Sequence, residues 1–202
     1  MILTKHLYIL LLITLASASF SWSQSDQSIV HWQKSLGTQG EDALNDMVKD
    51  ANNNFYVVGS TQTAGSQTMD ILISKFSETG IEIWSKTIGE SGDDHGIAIE
   101  LINDELFVLA SSTSSTGIFT GNLGREDIHL IRLNTFGHVL GTSHFGGNFA
   151  DIPTDLSKTA SGDLLIAAHS KSTEGFFDVN KGQNDMWIVQ VNHLGDLIWK
   201  RN

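Results

Sequence analysis

An all-β chain of repeated four-stranded units is predicted by three observations. A set of motifs returns every 52 to 58 residues, runs of β-branched and aromatic residues are separated by Gly, Asn, Asp and Ser, and the middle runs are apolar at consecutive positions. A strand with one wet face alternates apolar and polar residues, so unbroken apolarity means that both faces are covered. Four-stranded blades stacked around an axis cover both faces of each blade; the expected fold is therefore an incomplete or open β-propeller of three antiparallel blades. A β-sandwich competes, but it would show alternation and no such period.

Three markers keep one register. Gly80 lies in Glu78-Thr79-Gly80-Ile81-Glu82-Ile83-Trp84, and the same position is Gly137 before Leu140 and Gly195 before Trp199. Gly37, Gly89 and Gly146 each precede an aspartate by five residues, namely Asp42, Asp94 and Asp151. Asp70, Asp127 and Asp185 each open an apolar run.

In order, the first strand of each unit follows Asp42, Asp94 or Asp151. The second spans 55–58, 106–109 or 164–167; the third is the run led by Asp70, Asp127 or Asp185; the fourth carries Trp84, Leu140 or Trp199. The blades are placed at 40–87, 92–143 and 149–202, within a propeller region at 24–202. Trp32, 52 residues before Trp84, marks an orphan outer strand at 29–36. Closed propellers hold about 4–8 blades, so the expectation is the front of a longer protein whose C-terminal blades are missing. The alternative is a three-blade chain that closes by oligomerising.

Residues 1–23 are expected to be a signal peptide. Lys5 and His6 precede an apolar run at 7–16, and small residues follow, with cleavage after Ala18 or Ser23. The run is too short to span a bilayer, which takes about 20 residues. The expectation is therefore a secreted or cell-surface protein with no membrane insertion after cleavage; a periplasmic location is the alternative. There is no cysteine, which excludes disulfides and thiolate chemistry. The net charge is -11, and an acidic chain repels phosphate backbones, so nucleic acid is not an expected partner.

With these markers, the chain resembles the bacterial seven-bladed β-propeller (SBBP) type of repeat. The resemblance covers about residues 30–202 and rests on Trp84 with Gly89 and Asp94, on Gly59-Ser60-Thr61, and on Asp185-Met186-Trp187. Leu140 in place of tryptophan, and Ala110 and Ala168 in place of Gly59, are departures. The resemblance implies export and a surface or adhesive role, with no fixed reaction.

The loops between the second and third strands carry the sharpest local pattern. Gly117-Ile118-Phe119 with Asn122, Gly124 and Asp127 matches Gly175-Phe176-Phe177 with Asn180, Gly182 and Asp185. In an up-and-down blade these loops share one end with the turns before Asp94 and Asp151, making an acidic, aromatic rim. The candidate ligand-binding residues are Asp94, Asp151, Phe119, Asn122, Asp127, Phe177, Asn180 and Asp185. The competing reading is structural: the aspartates cap turn N–H groups and the phenylalanines pack under the loops, since a device copied in every blade is more often framework than site. The residues 50–54 resemble the start of a calcium loop, without its glycine or distal glutamate, and read as a hairpin turn. No cofactor is expected, and weak Ca2+ binding on the rim is left open. The histidines show no ligand spacing along a strand, and no nucleophile elbow, phosphate loop or zinc-protease motif occurs. The expected function is a non-catalytic binding or adhesive module for a protein or glycan. The alternatives are an outer-membrane assembly scaffold and the front of a carbohydrate-active enzyme.

Overall fold

The computed structural model describes residues 32–202, so the expected signal peptide at 1–23 lies outside the described residues. Three antiparallel four-stranded sheets follow one another along the chain, each in simple up-and-down order. The first holds β1 (Asp42–Lys49), β2 (Phe55–Thr61), β3 (Asp70–Phe76) and β4 (Glu82–Ile88). The second holds β5 (Asp94–Ile102), β6 (Glu105–Ser112), β7 (Asp127–Asn134) and β8 (Val139–Phe145). The third holds β9 (Asp151–Lys158), β10 (Leu164–Ser170), β11 (Asp185–Val191) and β12 (Leu197–Arg201). A single 3-10 turn, Gly117–Phe119, is the only helical element among the described residues. These sheets are the blades of an open β-propeller.

Two apolar layers hold the blades together. Tyr56, Val58, Ile71 and Ile73 of the first blade meet Leu106, Val108, Ile131 and Leu133 of the second. Phe107, Leu109, Ile128 and Leu130 of the second meet Leu164, Ile166, Trp187 and Val189 of the third. The same strand positions recur in both layers. In the third strand, the first and third residues after the opening aspartate face forward to the next blade. The second, fourth and sixth face back to the previous one. The second strand follows the same alternation, which is why β6 is apolar at consecutive positions from Leu106 to Ala110: successive side chains leave on opposite faces, and both faces are buried.

Each turn between third and fourth strands needs a left-handed residue, supplied by Gly80, Gly137 and Gly195, all with φ between 78° and 87°. Those glycines also receive the preceding blade. Trp84 lies over Gly137 and donates its indole N–H to the Thr135 carbonyl at 3.1 Å. Trp32 lies over Gly80, where an added methyl would come within 2.6 Å of its ring, and donates to the Glu78 carbonyl at 2.9 Å. At Gly195 no indole is present, because Leu140 stands at that position.

The expected orphan outer strand at 29–36 finds no partner strand here. Residues 32–38 form no ladder, and 29–31 lie outside the described residues. The physical reason is the lack of a third-strand edge: within the described residues every blade already has its own fourth strand. A feature the residues did not announce is a bulge in every first strand, at Leu44/Asp46 in β1, Gly96/Ala98 in β5, and opposite Ala167/Ala168 in β9. The bulge lets the first strand reach the next blade. Asn45 donates to the Gly96 carbonyl at 2.6 Å, and the Ile99 N–H donates to Asp46 at 2.9 Å.

Candidate functional site

One end of the blades is built by the loops 113–126 and 171–184 together with the turns 89–93 and 146–150. Direct bonds join them. The Phe176 N–H donates to the Gly146 carbonyl at 2.9 Å, the Thr173 N–H donates to Asn148 Oδ1 at 2.9 Å, and Asp93 N–H donates to Thr113 Oγ1 at 2.7 Å. The Asp151 N–H donates to the Glu126 carbonyl at 2.7 Å and links the two halves, so the rim is one continuous structure.

Asp94 and Asp151 are fully buried in it. Asp94 accepts from the Ser112 hydroxyl, from Ser114 Oγ at 3.0 Å and from the Glu90 N–H at 2.8 Å. Asp151 accepts from the Ser170 hydroxyl, from Ser172 Oγ at 2.8 Å and from the Gly147 N–H at 2.7 Å. Asp42 does the same in the first blade, with Thr61 Oγ1 at 2.5 Å and the Thr38 N–H at 2.6 Å. The recurrent aspartate is a clasp. It ties the turn entering each blade to the end of the second strand. Burial raises the pKa of Asp94 and of Asp151 despite these donors. The sign follows: the Asp94 and Asp151 clasps favour the fold most at low pH, and that contribution falls as pH rises through the folded-state value, whereas Asp42, its pKa lowered by the Thr61 hydroxyl and the Thr38 N–H, contributes most at higher pH and loses that as pH falls.

The other candidates divide by depth. Phe119 and Phe177 are fully buried, Phe119 edge-on to His129 at 5.0 Å and Phe177 edge-on to Trp187 at 5.1 Å. Asp127 is buried, accepting from the Leu123 N–H at 2.8 Å and pairing with His144 Nε2 at 2.7 Å. Asn122 and Asn180 are half-buried and donate to strand-end carbonyls, of Ser112 at 2.7 Å and Ser170 at 3.3 Å. Asp185 is half-buried and accepts from the Lys181 N–H. Asp94, Asp151, Asp127, Phe119 and Phe177 thus hold the rim in shape from inside, and their side chains do not line its surface. What the rim presents outward is Leu123, Phe149 and Val179, which are 66 %, 49 % and 55 % exposed. Leu123 and Phe149 are neighbours, since Gly124 packs against the Phe149 and Gly147 carbonyls.

A histidine pair beneath the second blade's loop escaped the sequence reading. His129 on β7 faces His144 on β8 with ring centroids 5.0 Å apart. His129 is fully buried, and neither ring nitrogen has a hydrogen-bond partner. Burial, then the neighbouring His144, lowers its pKa to about 4. The signal was present in the spacing: both residues flank the turn after Asn134 symmetrically once a bulge between Arg132 and Leu133 is counted. Among the described residues, no three His, Asp or Glu side chains converge as a metal site. The residues 50–54 form a hairpin turn in which Asp50 accepts from the Asn52 and Asn54 N–H groups, both at 2.9 Å, so its carboxylate is already occupied.

The architecture defines the class as β-propeller. No family model matches the chain, and no curated protein matches it. Similar solved structures include a protein of unknown function from Bacteroides caccae, at 11% identity and TM-score 0.48, covering 82% of this chain and 48% of that one. The Bombyx mori GH32 β-fructofuranosidase BmSUC1 shares 13% identity at TM-score 0.40, over 77% and 36% of the two chains. A Synechocystis apocarotenoid oxygenase shares 9% at TM-score 0.46, over 82% and 40%. The chain spans half or less of the length of each. Likeness at this level transfers no activity.

Proposed function

We propose that this chain is an exported, non-catalytic β-propeller module of the SBBP repeat type. It binds a protein or glycan at the bacterial cell surface through the rim of loops 113–126 and 171–184. One observation carries the reading: Leu123, Phe149 and Val179 stand exposed on loops whose own polar groups are bonded inward. Exposed apolar side chains on a held framework favour association. The leader-like residues 1–23 and the lack of cysteine support export rather than a cytosolic redox or metal role.

The test is a Leu123→Ser, Phe149→Ser double variant, with the wild-type protein screened on immobilised glycans and surface-protein extracts. The reading expects a wild-type ligand and a loss of roughly tenfold or more in affinity for the variant, at unchanged thermal stability. Turnover of any glycan by the wild-type protein, or binding indifferent to the double change, overturns it.

A further inference from the structure

The two buried aspartates of the rim, Asp94 and Asp151, each accept three hydrogen bonds. The second blade's loop closes over a different floor. In and beneath the loop 113–126, four buried side-chain atoms have no hydrogen-bond partner: Asn122 Oδ1, Asp127 Oδ1 and both ring nitrogens of His129. The third blade has Trp187 at the place of His129, also without a partner for its N–H, but an indole takes up no proton.

His129 is held where a charge has no outlet. Phe119 covers it edge-on at 5.0 Å, and His144 lies 5.0 Å away on β8. Ala110 of β6 stands opposite it in the ladder, and the layer that holds Phe119 brings the apolar Ile71 and Ile88 from the first blade. The titratable groups that act on it are Asp127 of its own strand and His144. Asp127 already accepts from the Leu123 N–H and pairs with His144. Glu90 lies against Gly117 at the start of the loop, and Asp70 of the first blade acts on Asp94. A proton on His129 makes both ring nitrogens donors and buries a charge with no acceptor bonded to either. Lifting Phe119 admits water to the ring. The loop is held down by the Leu123 N–H on Asp127, by Asn122 on the Ser112 and Ser114 carbonyls, and by Thr142 Oγ1 donating to the Ile118 carbonyl at 3.4 Å.

We propose that His129 is an acid trigger for the loop 113–126: once it takes a proton the loop lifts, Phe119 leaves the core and Leu123 is carried out of the rim. The loop 171–184, with Trp187 beneath it, stays closed. Under the closed loop the His129 pKa is about 4, against an ordinary 6.5 for a ring in water. The open form therefore takes up the proton first as pH falls, and acid favours it. Between pH 7.5 and 4.5 the ratio of open to closed loop rises by roughly 50-fold. Asp94 and Asp151, whose pKa values burial raises, act in the opposite sense, so the trigger is read against variants that keep both. Release of a ligand in acid would follow, and that consequence rests on the rim reading above; the movement of the loop does not.

The test is native-state hydrogen exchange on the protein without ligand, at pH 7.5 and 4.5. Protection of the Phe119 and Leu123 amides, corrected for the intrinsic pH dependence of exchange, should fall roughly 50-fold relative to the Phe176 amide of the other loop. His129→Phe and His129→Leu should each abolish that difference. Wild-type protection that keeps the same ratio at both pH values overturns the proposal. So does a fall that survives both substitutions, or one that Phe176 shares in full. If the loop opens in acid while the Leu123→Ser, Phe149→Ser pair leaves binding unchanged, the trigger stands and the rim reading falls.

Discussion

The loops over the second and third blades share a sequence pattern and a scaffold, yet differ in what they cover. In both, a phenylalanine drops from the loop into the core, Phe119 or Phe177, and an asparagine ties the loop to the end of the second strand. Under the second loop the phenylalanine meets His129, which is backed by His144 and, through it, Asp127. Under the third it meets Trp187, and Lys200 lies 4.9 Å over the Phe176 ring while paired with Asp178 at 2.8 Å. One anchoring device is thus set on a titratable floor in one blade and on a floor with no titratable ring in the next. The repeat conserves what holds a loop in place and leaves free what lies beneath it.

The strongest way to break this comparison is to remove each anchor. Phe119→Ala and Phe177→Ala should each cost about 3–5 kcal/mol, read by denaturant unfolding, because each empties a buried aromatic site. If one change costs under about 1 kcal/mol, that loop is held by its polar bonds and the two are not alike.

Acid should separate the loops next. His129 has a folded-state pKa of about 4 against an ordinary 6.5. Its contribution is fully present above pH 6.5 and is lost as pH falls from 6.5 to 4, since the unfolded chain takes up the proton first. The loss is about 3 kcal/mol. His129→Phe should flatten that part of the stability profile, while Trp187→Phe should leave its slope intact. Because Asp94 and Asp151 act with the opposite sign in both proteins, a slope between pH 6.5 and 4 that His129→Phe leaves unchanged would contradict the unpartnered burial of His129.

The smallest effect sharpens the clasp. Asp94→Ala leaves the Ser112 and Ser114 hydroxyls and the Glu90 N–H without an acceptor, and should cost about 1–3 kcal/mol in a thermal melt. Asp42→Ala, in an exposed clasp, should cost less. Equal losses would mean that burial of the clasp is irrelevant to its strength.

Much of this was legible in the residues. Gly80, Gly137 and Gly195 mark turns because a left-handed position is a local demand that glycine meets in any context. The aspartates of the rim were visible too, but not their depth. The residues alone left a ligand contact and a turn cap open for Asp94, and its two serine donors lie 18 and 20 residues downstream. The His129–His144 pair was hidden by a bulge that shifts the register between β7 and β8.

Strand order, blade period and turn positions follow from short stretches of chain, since turn chemistry and the alternation of side chains across a strand act over a few residues. Which apolar faces are covered could be settled only by packing. Ile71 and Met186 have the same place in the repeat and the same local surroundings. One is buried and the other exposed because a blade lies against the first and, among the described residues, none lies against the second.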